Sequence, residues 1–346
     1  MSLDAALLRR LRQSRASLGC APLGNLFHAV DDDEAVALVS HAHAQGARYF
    51  DTAPHYGSGL SEHRLGAALR HCLRDEFLLS TKVGRLLVPE PDAPSVQFGY
   101  VDTLPFVQRF DYTRDGVLRS LDDSLQRLAM SRVDLVYVHD IDKVTHGAAF
   151  PSRMRDVLDG ALPALAALKA EGTIGGFGLG VNDVQICLDT LHHADLDVIL
   201  LAGRYTLADQ SAVAMLLPEC VRRGVAVILG GPFNSGILAT GARPHDGSQP
   251  FFNYAQATPA IVERVSGLED VCREFAVPLR AAALQFPCAH PAIANVLAGA
   301  RSRAEYDDHR AMQQLAIPDA FWRTLRARRL IDAAAPLPCD MPSANP

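Results

Sequence analysis

Residues 48–82 read RYFDTAPHYGSGLSEHRLGAALRHCLRDEFLLSTK. Short runs of aromatic and branched residues open and close this stretch, at 48–52 and 77–82, with an amphipathic segment between them. Strand, helix and strand in succession make a βαβ unit, whose two strands lie parallel in one sheet. Outward from this unit, runs of the same kind recur at 18–23, 134–139, 176–181, 197–201, 225–229 and 294–298. Eight strands alternating with helices predict an α/β fold of the (β/α)8 TIM-barrel type, with its active site at the C-terminal mouth.

Helix signals agree with this spacing. Asp31 and Glu34 stand three apart before AVALVSHAHAQ, a capping-box pattern, and Gly46 follows as a stop. Thr113 precedes RDGVLRSLDDSLQRLAM, where Val117, Leu118, Leu121, Leu125 and Leu128 share one face. Gly224 ends the helix expected after Asp209, and Thr258 caps a helix opened by Pro259. The stretches 84–112, 140–157 and 230–258 break the rhythm, are rich in Gly, Pro and Asp, and each follows a strand. They are therefore expected as mouth loops. One barrel domain is expected over 1–332, about the size the fold takes with insertions, and an irregular tail over 333–346.

Composition excludes several function classes. The formal net charge of −6, without a basic run, gives a nucleic acid nothing to exchange counterions with. No apolar run approaches the roughly 20 residues that span a bilayer, and the start lacks a secretory core. The seven cysteines are odd in number and scattered, which reads as reduced thiols in a cytoplasmic protein and not as a disulfide framework or zinc site. The histidine pairs 41/43 and 192/193 lack metal spacing and read as surface residues, so no metal is expected. The glycine run 175–180 lies inside a strand and fails the context of a dinucleotide fingerprint.

Four polar residues stand at strand ends or just beyond: Asp51, Tyr56, Lys82 and His139. In a barrel they converge on one mouth. Taken singly, Asp51 reads as a turn or cap residue, Tyr56 as a rim aromatic and His139 as a core histidine. Lys82 is harder to explain away, because a buried strand end rarely carries an unpaired ammonium. Together they form a general acid–base unit around Tyr56. A phenol with a pKa near 10 needs help at neutral pH, and the expectation is that Lys82, oriented by Asp51, eases it toward phenolate.

The segments YFDTAPHYGSGLSEHRLGAAL, LLSTKVG and DLVYVHD resemble the aldo-keto reductase superfamily, over residues 18 to about 309. The resemblance implies a β/α barrel and an Asp–Tyr–Lys–His tetrad, here Asp51, Tyr56, Lys82 and His139. FDYTRDGVLRSLDDSLQRL and LLAGRYTLADQ are similar to a narrower branch, the aldose 1-dehydrogenases acting on L-fucose, D-arabinose or L-galactose, with pyridoxal 4-dehydrogenase close by.

The resemblance also implies a nicotinamide cofactor. It would involve Gly24 and Asn25 after the first strand, and Asn182 after the fifth, where Val181 replaces the usual Ser. Ala202 stands where a Gln is usual, and Gly230 where an aromatic is usual. Pro232, Phe233, Ser235 and Gly236 resemble the pyrophosphate loop, and Gly299, Ala300, Arg301 and Glu305 the adenosine end. Glu305 stands where a basic residue often meets a 2′-phosphate, which favours NAD over NADP; Ser302 and Glu305 are also a capping box, and both roles can coexist. His55 and Asp140 are expected to touch substrate. The implied reaction is oxidation of an aldose at C1 to the lactone. A pyridoxal or general carbonyl oxidoreductase is a second reading, and a non-catalytic nucleotide-binding regulator a third.

Overall fold

A computed structural model describes residues 2–14, 16–244 and 247–340. Eight parallel strands close into a barrel: β1 (Leu18–Gly19), β2 (Tyr49–Asp51), β3 (Leu78–Val83), β4 (Leu135–His139), β5 (Gly176–Val181), β6 (Val198–Ala202), β7 (Ala226–Gly230) and β8 (Ile293–Gly299). Each pairs with its sequence neighbours, and β1 closes the ring by pairing with β8 through Leu18↔Ala298 and Gly19↔Gly299. Seven of the eight expected strands fall within a residue or two of their places. The first does not extend through 18–23. It ends at Gly19, and Ala21–Gly24 turns as a 3-10 helix in which Pro22 has no N–H to give a ladder.

Side chains alternate along each strand. Phe50, Leu79, Val136, Val138, Phe177, Leu179, Ile199 and Leu201 face the outer core against the helices. Tyr49, Leu78, Leu135, Tyr137, Val198, Leu200, Ala226 and Ile228 fill the barrel interior. The helix Ala5–Gln13, capped by Asp4, closes the lower end, where Leu3 and Leu11 join the interior cluster. Asn295 on β8 donates to the carbonyls of Leu11 (2.7 Å) and Ser14 (2.8 Å), fastening that plug.

The helix caps fall where the sequence puts them. Asp31 accepts from the N–H groups of Asp33 and Glu34, and Thr113 from that of Gly116. Thr258 accepts from Ile261, and Gly224 ends the helix Leu216–Arg223 in the left-handed region. That helix starts later than Asp209 implies, because Asp209 is engaged by Arg204 at 3.0 Å. The loop 84–112 is not wholly irregular. It contains an antiparallel hairpin, Arg85–Pro89 with Phe106–Phe110, in the register Leu87↔Gln108. Short helices Lys143–His146 and Phe150–Asp156 occupy the second loop, and a small hairpin, Phe251–Phe252 with Ala255–Gln256, the third. Beyond 333, Ala335 and Leu337 are buried; the rest of the expected tail, 341–346, lies outside the described residues. No helix among the described residues is long and apolar enough to cross a membrane.

Candidate active site

The inward-facing series ends at the mouth with one residue per strand. On β2, β3 and β4 that residue is Asp51, Lys82 and His139; on β5, β6 and β7 it is Gly180, Ala202 and Gly230. One half of the mouth is therefore lined with functional side chains and the other half is nearly bare. The bareness serves the functional half. A Cβ at Gly180 would lie 3.1 Å from Tyr137 Cβ and 3.4 Å from Lys82 Cδ.

Below the mouth, Tyr49 OH bonds Ser80 Oγ (2.9 Å) and Tyr137 OH (3.1 Å). Ser80 in turn donates to Asp51 Oδ1 at 2.6 Å. Lys82 Nζ donates to Asp51 Oδ2 at 2.7 Å and to the Thr52 carbonyl at 2.8 Å. Asp51 and Lys82 are 4% and 1% exposed, so the pair is water-free and must satisfy itself. Burial raises the Asp51 carboxyl pKa, and the Lys82 ammonium opposes that rise.

Tyr56 sits in the turn after β2, where Gly57, Ser58 and Gly59 all have positive φ. Gly24 braces it from the loop after β1: a Cβ there would come within 2.5 Å of the Tyr56 carbonyl carbon. The Tyr56 ring lies 4.6 Å from Lys82 Nζ, stacks on Tyr100 at 5.9 Å, and meets His139 edge-on at 6.0 Å. Burial, and next the Asp51 carboxylate, push the phenol well above its ordinary value. The expectation that Lys82 draws Tyr56 toward phenolate is therefore not met. The ammonium is committed to Asp51 and Thr52, and Tyr56 is held as the protonated phenol.

His139 is anchored through its carbonyl, which accepts from Tyr112 OH at 2.7 Å. Burial keeps its imidazole neutral, with a pKa well below the usual value despite the nearby Asp140, and its Nδ1 has no hydrogen-bond partner. Asp140 approaches His139 Nε2 at 3.5 Å and receives Arg85 Nη2 at 2.7 Å. Burial opposes ionisation of Asp140, but the Arg85 guanidinium bonded to it holds the carboxyl below its usual range. His55 packs between Phe98 (5.3 Å), Tyr100 (5.2 Å) and His139 (5.7 Å). The structure thus brings Asp51, Tyr56, Lys82, His139, His55 and Asp140 to one mouth. It adds Arg85, Tyr100, Gln108 and Tyr112, which the sequence reading passes over. All four lie in the 84–112 loop, whose hairpin has no local turn signature.

Residues 16–328 match the Aldo/keto reductase family over most of the chain. The chain belongs to that family. Among its relatives, this aldo/keto reductase is 45% identical to a pyridoxal 4-dehydrogenase of Microbacterium luteolum, over 91% of this chain and 93% of that one. It is 39% identical to a D-threo-aldose 1-dehydrogenase of a Pseudomonas species, over 90% and 93%. Among solved structures, an aldo-keto reductase from Bacillus halodurans in its holo form superposes with a TM-score of 0.69 at 23% identity, covering 92% of each chain. As a member of the family the protein is an oxidoreductase that works with a nicotinamide cofactor.

The bare half of the mouth fits such a cofactor in kind. Ala202 and Gly230 leave a flat floor beside Asn182, whose carbonyl accepts from Arg204 Nε at 2.6 Å. Beyond β7, Gly231, Asn234, Ser235 and Gly236 all take positive φ, the loop conformation that turns successive N–H groups to one side. Ser235 Oγ accepts from Tyr254 N at 2.9 Å, and Phe233 packs on His309 at 5.1 Å. Asn234 is buried and ties this loop to Gly203 O at 3.0 Å. The helix Arg303–Gln314 starts after Ser302, whose Oγ accepts from Glu305 N at 3.2 Å. Gly299 ends β8 and Ala300 is buried.

Two expected cofactor residues bond to groups of the chain itself. The Asn25 side chain is buried, accepting from Arg64 Nη1 (2.8 Å) and Val30 N (2.9 Å). Through its Oδ1 it shapes the loop after β1. Glu305 accepts from the Arg301 backbone at 2.8 Å and from its guanidinium Nε at 3.1 Å. Burial raises the Glu305 carboxyl pKa, but these bonds outweigh it and hold the group below its usual range. Arg303 is drawn to Glu34 at 3.4 Å. Of the histidine pairs read as surface, His43 is half-buried, edge-on to Phe77 at 6.1 Å. No group of three or more His, Cys, Asp or Glu side chains among the described residues is placed to hold a metal.

Proposed function

We propose that this aldo/keto reductase oxidises a cyclic hemiacetal to a lactone, the substrate being an aldose at C1. The observation that carries this is the polar cluster beside the tetrad: Arg85 donates to Asp140 at 2.7 Å, Asp140 lies 3.5 Å from His139 Nε2, and the His55 ring lies 5.7 Å from that of His139. A hydroxyl-rich ring suits such a mouth better than an apolar aldehyde does. The anomeric hydroxyl would sit between Tyr56 and His139. His139, neutral, orients it; Tyr56 must first lose its own proton to take that of the hydroxyl as general base, and in the reverse direction the phenol gives its proton as general acid. Lys82 and Asp51 hold Tyr56 in place and keep water from its lower face. When bound, the nicotinamide accepts the hydride. Asn182, Gly230, Pro232, Phe233, Ser235, Gly236, Gly299, Ala300, Arg301 and Glu305 would hold the cofactor.

NAD is the favoured form. The support is that Arg301, the basic residue best placed for a 2′-phosphate, is already paired with Glu305. A cytoplasmic setting is supported by the buried thiols of Cys20, Cys187, Cys220 and Cys272, which form no disulfide.

A second reading has its own support. Phe98, Tyr100 and His55 form an aromatic wall, and the 45% identical relative is named for pyridoxal, which also closes to a hemiacetal. Initial rates of cofactor reduction with L-fucose, D-arabinose, L-galactose and pyridoxal, each with NAD and NADP, separate the two. An aldose with the highest kcat/KM is expected. Pyridoxal exceeding every sugar tenfold gives the second reading, and no turnover with any hemiacetal overturns both.

A further inference from the structure

His55 adjoins Tyr56 in sequence, and its ring faces His139 and Tyr56 at 5.7 and 6.1 Å. Its Nδ1 lies 2.8 Å from Gln108 Oε1. An imidazole nitrogen beside an amide oxygen must carry the proton, provided the amide is the right way round. Two independent contacts fix the amide. Arg85 Nη1, which can only donate, approaches the same Oε1 at 3.2 Å. At the other end Gln108 Nε2 donates to the His55 carbonyl at 3.3 Å and to Ser58 Oγ at 3.4 Å. Arg85 itself is buried and held from its far side by Asp140 at 2.7 Å, so the chain of bonds has a rigid end. With Nδ1 carrying the only proton, Nε2 is a bare acceptor on a half-buried ring that lies beside Tyr56 and His139.

We propose that Arg85 and Gln108 lock His55 in its Nδ1–H form, so that Nε2 accepts a hydrogen bond from a substrate hydroxyl close to the reacting carbon. For an aldose this is the C2 hydroxyl; for pyridoxal it is the ring hydroxyl beside the aldehyde-bearing carbon. His55 is then a specificity-determining residue, and Gln108 and Arg85 are positioning residues that act through it. The lock needs a neutral ring. Burial, and next the Arg85 cation, bring the His55 pKa down to about 4, with Asp140 opposing and Lys82 adding to the fall. The inference rests on the hemiacetal reading for the identity of the hydroxyl, but not for the tautomer.

The first test is a long-range ¹H–¹⁵N spectrum of the full chain labelled at histidine, with His55 assigned by its loss in His55→Asn. A single Nδ1–H pattern for His55 is expected, and an Nε2–H or averaged pattern overturns the lock. The second test compares the best substrate with its analogue lacking the hydroxyl, 2-deoxy for an aldose and 3-deoxy for pyridoxal. Wild type should lose about tenfold in kcat/KM, the factor that corresponds to 1.4 kcal/mol. In Gln108→Leu the ratio should fall below about threefold, because the parent substrate loses its oriented acceptor while the deoxy analogue does not. A merely structural role for Gln108 would lower both substrates alike and leave the ratio unmoved, which refutes the assignment. So does a wild type indifferent to the hydroxyl. Absence of turnover with every hemiacetal would sink the substrate reading alone, and the spectrum would still decide the lock. If Gln108→Leu does not fold, the wild-type spectrum and ratio decide the matter.

Discussion

Replacing Lys82 by methionine removes the ammonium that faces Asp51 at 2.7 Å in a place where neither side chain is more than 5% exposed. The methionine fills most of the lysine stem's volume, so packing is largely kept. What changes is that Asp51 retains Ser80 as a donor and loses its countercharge. Breaking a buried pair in this way costs about 3–5 kcal/mol. With an unfolding entropy of about 2.1 cal/mol/K per residue, a chain of this length should lose about 4–7 °C in Tm. Adding Asp51→Asn removes the stranded charge, so the double variant should recover most of that loss. Catalysis should not recover, because Tyr56 loses the group beneath its ring; kcat should stay down by about 10²–10⁴-fold in both variants. Thermal unfolding followed by circular dichroism, alongside steady-state rates, measures the two quantities separately. A double variant no more stable than Lys82→Met would refute the argument that the pair is held by mutual neutralisation. Recovery of kcat in the double variant would refute the catalytic role of Lys82.

Tyr56→Phe should keep its Tm and lose about 10²–10⁴-fold in kcat; activity within tenfold of wild type would remove Tyr56 from the proton-transfer role. The raised phenol pKa has a sign: the protonated form persists through neutral pH and is lost only above the ordinary value near 10. Alcohol oxidation, which needs Tyr56 to take a proton, should therefore keep gaining rate from about pH 7 to 9 while carbonyl reduction stays level, and an oxidation plateau below about pH 8 would contradict the assigned direction. Glu305→Ala frees Arg301 and should move the NADP-to-NAD efficiency ratio toward NADP by about fivefold, with under about 1 kcal/mol of stability lost, since the pair is partly exposed. Either an unmoved ratio or a wild type that already prefers NADP would defeat that account.

The barrel was legible because a strand buried on both faces must be apolar, and a polar residue at its end stands out. Asp51, Lys82 and His139 are each the last inward position of a strand, and that periodicity can be read without coordinates. Where it failed, a local rule was overridden. Cys20 to Leu23 is apolar enough for a strand, yet Pro22 and the left-handed Asn25 turn it away. The alternating stretches around Arg85 and Gln108 are too far apart for a turn motif to announce their pairing, so the hairpin went unread, and the clamp with it. For Glu305 the sequence shows the charge and the capping-box spacing from Ser302, but not the bond four residues back to Arg301. The direction of the Tyr56 shift was missed for a similar reason. A neighbouring ammonium is visible in the sequence, whereas the carboxylate that neutralises it and the burial around both are properties of the folded mouth.

The Arg85–Phe110 hairpin hangs outside the ring of strands, with Arg85 and Gln108 on it, while Asp51, Lys82 and His139 belong to the ring itself. The groups that orient His55 thus come from an insert, and the groups that anchor Tyr56 from the barrel. A graft exchanging residues 85–110 between two such barrels would replace the side chains that orient His55, and Tyr100 that stacks on Tyr56, while Asp51, Lys82 and His139 stayed in place on their strands. It would also leave the closure of the barrel alone, because the hairpin strands pair with each other and with none of the eight.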